Sequence, residues 1–153
     1  MRELGLCQER LQEAGRRWSG VVADCTLEHM TNLPFDPQHL PRKVDVGAEA
    51  FFALDMRAGR VVDVEDFPQA RKPAWKLTVD FGPVIGELRT SAQIRNYERH
   101  ELLGRAVVGA VNLGTKRIAG FVSEFLVLGA LDPDGTVRLL EVPDGVSPGA
   151  PVA

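Results

Sequence analysis

Residues 65–93 read EDFPQARKPAWKLTVDFGPVIGELRTSAQ, and two alternating segments inside this stretch decide the fold. Trp75, Leu77, Val79 and Phe81 alternate with Lys76, Thr78 and Asp80. Successive side chains of a strand point to opposite faces, so this pattern predicts a half-buried strand. Leu88, Thr90, Ala92 and Ile94 alternate with Glu87, Arg89, Ser91 and Gln93. That predicts a second strand, with one face polar along its length. A proline-bounded basic loop, Ala70-Arg71-Lys72-Pro73, leads into the first strand. The stretch holds no nucleophile–base pair, no phosphate-cradling glycine loop and no metal-ligand spacing. It reads as a binding surface on a small β-barrel, and so as recognition rather than chemistry.

Working outward, Met56 to Val64 is a strand candidate in which Gly59 marks a bulge or a barrel corner. Asn96 to Leu103, NYERHELL, predicts one short helix with Asn96 as N-cap and Gly104 ending it. Arg105 to Val111 is apolar after its first residue, as a strand covered on both faces would be. Phe121 to Leu128 and Val137 to Val142 are two more strands, joined by the turn Asp132-Pro133-Asp134-Gly135. Several short strands, with one helix between the third and fourth, predict an all-β fold. The form expected is a five-stranded Greek-key OB-fold barrel with a short helix and a C-terminal strand extension, although composition alone would also allow another small barrel.

The chain divides near residue 48. Leu4, Cys7, Leu11, Ala14 and Trp18 fall at three- and four-residue steps, as in a short amphipathic helix. Asn32-Leu33-Pro34, Asp36-Pro37 and Leu40-Pro41 then read as an irregular linker. Residues 1–48 are thus an extension, and residues 49–153 the barrel domain.

The 153 residues carry a formal net charge of -3. A protein that binds nucleic acid through its overall field is basic, so nucleic-acid binding here requires a local patch. Two cysteines, Cys7 and Cys25, do not make a disulfide framework. No apolar run is long enough to span a bilayer, so membrane insertion is not expected. The charged N-terminus MRELGLCQERLQEAGRRW lacks the pattern of a secretory signal, and the cytoplasm is the expected location.

From about Phe51 to Pro151 the chain resembles the tRNA-binding domain family, and within it the stand-alone proteins of CsaA type. The matching runs include Asp55-Met56-Arg57-Ala58-Gly59, Phe67-Pro68-Gln69-Ala70-Arg71-Lys72-Pro73, Asp80-Phe81-Gly82, Ser91-Ala92-Gln93-Ile94, and Ser123-Glu124 followed by Leu126-Val127-Leu128-Gly129. They stand in family order over roughly a hundred residues, which is far more specific than any single motif. The resemblance implies an OB-fold and a homodimer whose barrels pair through segments outside the barrel core. It also implies one of two roles, binding of tRNA or structured RNA, or export-related chaperoning of unfolded preproteins. A third reading is an interaction module that has lost both roles. Thr90 stands where the family usually has serine. Leu113-Gly114-Thr115 replaces a proline-containing loop, and Val122 replaces a methionine. Residues 1–48 have no counterpart in the stand-alone relatives. They are either an extension or sequence upstream of the native start, which mass spectrometry of the native N-terminus separates.

Ten residues are candidates for the binding surface. Arg71, Lys72 and Lys76 could contact phosphates, the simpler alternative being a solvated loop. Arg89, Ser91 and Gln93 share a strand face of the kind on which OB-folds bind oligonucleotides, the alternative being an ordinary polar outer face. Ser123 and Glu124 precede an apolar segment, where Glu124 either anchors structure through hydrogen bonds or shapes the cleft. Asn112, beside Lys116 and Arg117, either closes the cleft or caps a loop. Trp75 and Phe81 could stack bases, but their alternation favours packing in the core. Tyr97 and His100 could face cleft or solvent, and Glu98 and Glu101 read as a solvated face. No metal site is expected, since Cys7, Cys25, His29 and His39 match no zinc spacing. No catalytic residue and no cofactor is expected either, since no elbow motif surrounds Ser123.

Overall fold

The computed structural model describes residues 34–152. The helix expected at residues 4–18 lies outside them, as do Cys7, Cys25 and His29. A one-turn helix α1 (Ala48–Phe52), not anticipated from the sequence, leads into β1 (Met56–Asp66), an eleven-residue strand. Then follow β2 (Trp75–Asp80), a single turn α2 (Gly82–Ile85), β3 (Glu87–Ala92), α3 (Arg99–Leu102) and β4 (Ala106–Ala110). The rest of the chain forms β5 (Lys116–Ile118), β6 (Phe121–Ser123), β7 (Leu126–Val127), β8 (Gly129–Leu131) and β9 (Val137–Leu139).

The main sheet is antiparallel, in the order β3-β2-β1-β4-β7. Three consecutive strands followed by a fourth that returns beside the first is the Greek-key order. The sheet curls into a nearly closed barrel. At the seam, the Arg89 N–H donates to Glu124 Oε2 at 2.8 Å and the Glu124 N–H donates to the Arg89 carbonyl at 2.8 Å. Beside them the buried Thr90 hydroxyl donates to the Phe125 carbonyl at 2.8 Å and lies 2.9 Å from Ser123 Oγ. These bonds consume the polar groups that closure would otherwise bury unpaired. The C-terminal extension is present as well. Gly149 and Val152 donate to the carbonyls of Ala58 and Met56, and Ala58 donates to that of Ala150, so the tail runs along β1.

The alternation of β2 is the clearest case of sequence fixing burial. Trp75, Leu77 and Val79 are buried, with Phe81 just beyond them, while the residues between are half exposed. Trp75 donates its indole N–H to the Tyr97 carbonyl at 3.1 Å. Phe81 meets Phe125 edge to face at 4.9 Å. Two glycines make room for that pair. A β-carbon on Gly59 would lie 2.7 Å from the Phe81 ring, and one on Gly109 would lie 2.8 Å from both rings. Of the two readings of Gly59, bulge or barrel corner, the bulge is not found at that position. The register of β1 against β2 shifts between Val61 and Asp63 instead, which makes Val62 the extra residue.

Three further expectations are corrected. The helix at 96–103 shortens to α3, with Glu98 as N-cap in a capping box with Glu101. These two glutamates satisfy helix N–H groups rather than forming a plain solvated face. Asn96 instead donates its amide to the Val137 carbonyl at 3.1 Å. The single strand expected at 121–128 is broken into β6 and β7, because Glu124 and Phe125 turn to make the seam contacts. The strand expected at 137–142 ends at Leu139, whose N–H donates to the Tyr97 hydroxyl at 3.1 Å. That bond settles Tyr97 as a half-buried link between barrel and hairpin, while His100 is exposed.

Candidate nucleic-acid interface

β2 and β3 pair in the register Lys76↔Ser91 and Thr78↔Arg89. Cross-strand partners share a face, so Lys76, Ser91 and Arg89 stand together on the outer side of the barrel, with Gln93 two residues beyond Ser91. The loop before β2 brings Arg71 and Lys72 to the same end, both exposed. Lys72, Ser91 and Gln93 line two neighbouring grooves of about 350 and 550 Å³. Of the ten sequence candidates, these six form one continuous patch.

The hairpin of β5 and β6 completes its edge. Its turn is Ala119-Gly120, both with positive φ, 45° and 84°. Two central residues in the left-handed region give a type I′ turn, whose twist matches that of paired strands. The hairpin carries Phe121 to the outer face of β2 and β3. There the Phe121 and Phe67 rings lie 5.6 Å apart. The Lys76 ammonium sits 5.2 Å from the Phe67 centroid and 5.6 Å from that of Phe121. The Arg89 guanidinium lies 5.4 Å from the Phe121 centroid. The ring faces attract both cations and restrict their side-chain motion. A hollow of about 440 Å³ opens here, rimmed also by Gln69 and Gly120.

Charge pairing separates this patch from much of the remaining surface. Arg57, Arg95, Arg99, Arg105 and Arg138 each have a carboxylate partner, Asp55, Asp66, Asp63, Glu141 and Asp132 respectively. The Asp132 carboxylate raises the Arg138 guanidinium above its ordinary value, and Asp55 does the same for Arg57. Among the described residues Arg71, Lys72, Arg89, Lys116 and Arg117 have no such partner, nor do Lys43 and Arg60 elsewhere, and Lys76 has Glu65 at 3.8 Å, a distance close to those of the Arg99 and Arg105 pairs. A patch of uncompensated cations is a local positive field on a chain whose net charge is -3.

The remaining candidates sit differently. Lys116 is exposed at the base of the hairpin, opposite Ser123. Ser123 is buried against Thr90. Glu124 is half buried, and its carboxylate is engaged by the Arg89 backbone. Asn112 accepts from the Asp55 N–H and donates to the Ala53 carbonyl, both at 2.8 Å, so it ties the end of α1 to the end of β4. These side chains spend their hydrogen bonds inside the molecule. Phe67 and Phe121 escaped the sequence reading. The cue available was Phe121 at the start of a strand directly after Ala119-Gly120, but its partners lie far away in the sequence. Among the described residues no cluster of histidine, cysteine or acidic side chains could hold a metal ion. Nor is any helix there long and apolar enough to cross a membrane.

Comparison with known proteins agrees with this geometry. The model of a family described as a putative tRNA binding domain matches residues 56–151. The methionine–tRNA ligase of Porphyromonas gingivalis is 33% identical over 115 residues, which cover 75% of this chain and 17% of the ligase. The chain thus spans less than a fifth of that curated relative. Two solved structures are covered in full. The CsaA chaperone protein from Picrophilus torridus is 45% identical, with a TM-score of 0.67 over 71% of this chain. The chaperone CsaA from Bacillus anthracis is 40% identical, with a TM-score of 0.68 over 72% of this chain.

Proposed function

The chain belongs to the tRNA-binding domain family, and from that premise we propose that it is a non-enzymatic protein that binds tRNA or similarly structured RNA. The observation that carries the reading is the patch of cations without carboxylate partners, Arg71, Lys72 and Arg89 with Lys76 and Lys116 around them. Guanidinium and ammonium groups position a phosphate backbone, while Ser91 and Gln93 offer donors and acceptors to sugar and base edges. Folded RNA presents phosphates and 2′-hydroxyls rather than a readable major groove, so recognition follows shape and backbone more than sequence. Ligation chemistry in the methionine–tRNA ligases falls to other parts of those much longer chains. A cytoplasmic location follows from the ligand.

We propose a homodimer as the working unit. Phe51 and Phe52 of α1 stack edge to face at 5.7 Å and remain exposed, with Leu54 and Leu113 exposed near them. Exposed apolar side chains in such number mark an association surface, and this one lies outside the barrel core. Sedimentation of the full chain beside Phe52→Glu checks the point, and a monomeric wild type refutes it.

Fluorescence anisotropy with labelled tRNA at low salt tests the central reading. Binding that competitor single strands do not displace supports it, and absence of binding at low salt ends it. The alternative, capture of unfolded preproteins, fits a patch of uncompensated cations less well. Such capture would tolerate salt and suppress client aggregation in light scattering.

A further inference from the structure

We propose that Pro34 and Phe35, seated on the turn between β8 and β9, form one wall of the larger groove beside Ser91 and Gln93, and that they cover one flank of the RNA surface. The covering effect rests on the RNA-binding reading, while the occupancy of that seat stands on contacts alone.

The groove has a volume of about 550 Å³, and Ile94, Leu126, Leu131 and Val137 supply apolar walls. Its rim is polar and includes Lys72, Ser91 and Gln93. Pro34 and Phe35 complete the lining. Two contacts with the turn between β8 and β9 hold them there. The Phe35 N–H donates to the Pro133 carbonyl at 3.2 Å. The Phe35 ring lies against Gly135, where an added β-carbon would stand 3.3 Å from it. Gly135 also needs its φ of 90°, so one glycine both closes the hairpin and leaves a flat seat for the ring. Among the large apolar residues of the segment this one is the least exposed. Leu40, Val44 and Val46 are 57%, 86% and 73% exposed, whereas Phe35 is 36% exposed.

The chain turns immediately afterwards. The Asp36 carboxylate accepts the Gln38 N–H at 3.0 Å and meets His39 Nδ1 at 2.7 Å, and Leu40 donates to the Asp36 carbonyl at 3.0 Å. This turn places a carboxylate directly after the seated ring, and Asp134 lines the same groove. One negative charge, Asp134, thus stands on the lining of a groove whose rim the RNA reading needs positive, with Asp36 next in sequence to the seated ring. Seating the segment narrows the approach to Ser91 and Gln93 and opposes phosphate nearby. RNA that requires the open groove meets only the fraction of molecules whose segment has left, so its apparent affinity falls by that fraction.

Titration of labelled tRNA into the full-length chain, Phe35→Ala and Phe35→Leu tests this. Phe35→Ala should bind about three- to tenfold more tightly than the wild type, and Phe35→Leu, which keeps an apolar anchor, should stay near it. Equal or weaker binding by Phe35→Ala overturns the proposal; weaker binding would make Phe35 part of the RNA contact. If no form binds tRNA, the RNA reading fails by itself. Occupancy is then decided by amide NMR of wild type against Phe35→Ala. Shifts at Ser91, Gln93 and Gly135 support it, and an unchanged spectrum at those three residues overturns it.

Discussion

Replacing Arg71 and Lys72 with alanine should change how RNA affinity responds to salt more than it changes anything else. Both side chains are exposed and lack a carboxylate partner among the described residues, so their removal deletes two charges without orphaning an acid. Each phosphate that a cation neutralises releases condensed counterions, and log affinity falls with log salt by about 0.7 to 0.9 per contact. If Arg71, Lys72, Lys76, Arg89, Lys116 and Arg117 all reach phosphates, the slope is about −5, or close to a thousandfold loss of affinity between ~50 and ~200 mM salt. Without Arg71 and Lys72 the slope should flatten to about −3, and the loss to roughly a hundredfold. The assay is tRNA anisotropy over a salt series. Arg138→Ala serves as control, since Arg138 is already paired with Asp132. A double variant with the wild-type slope refutes the placement of the RNA on this loop, even if affinity drops.

Phe121→Ala removes the ring that holds Lys76 and Arg89; tRNA affinity should fall by about 0.5–1 kcal/mol per released cation, read by anisotropy, with the salt slope nearly unchanged. Ala119 is a non-glycine residue at φ 45°, so Ala119→Gly should leave the fold intact and raise the unfolding free energy from urea denaturation by about 1 kcal/mol or less once glycine's entropy cost is subtracted. Gly109→Ala would drive a methyl group to 2.8 Å from both Phe81 and Phe125; a loss of about 1–3 kcal/mol should appear in the same denaturation. The Gln38 N–H, followed by the side chain of His39, holds the Asp36 carboxyl below its ordinary 3.8, and the Thr136 N–H does so for Asp134. A depressed folded value stabilises above the unfolded value and is lost as pH falls through the folded one. The turns flanking Phe35 should therefore be fully formed above about pH 4 and loosen below it, as amide NMR of Gln38 and Thr136 would show.

The barrel was legible where burial imposes a period. β2 and β3 alternate because one side faces the core, and β4 is apolar throughout because both sides are covered. The break between β6 and β7 was not legible. Phe121 to Leu128 reads as one mostly apolar strand, and what interrupts it is the pull of Arg89 and Thr90, more than thirty residues away in sequence. Gly59 suggested a bulge or a barrel corner because glycine in a strand permits either; what its missing side chain makes room for is the Phe81 ring packed on the backbone, a tertiary fact. For the candidate site, residue type and strand face were enough to assemble Arg89, Ser91, Gln93 and Lys76. Chemistry alone could not tell Asn112 and Ser123 from surface groups, because their partners, Asp55, Ala53 and Thr90, are supplied by the fold. The aromatic holders of the cations were invisible for the same reason.

The seam between β3 and Glu124 has a further consequence. On its other side β3 is laced to β2 along its whole length, from Glu87 to Ala92. At the seam the backbone joins only around Arg89 and Glu124, and side chains close the rest. The strand that carries Arg89 and Ser91 is thus firmly restrained along one edge and sparsely along the other. It can pivot about β2 without dismantling the ladder, and such compliance is characteristic of regions that open at low free energy. A barrel built this way need not match the curvature of its ligand in advance. Under the RNA reading, the strand that adjusts is the one proposed to meet the ligand, while the core behind Val79 and Phe81 stays fixed.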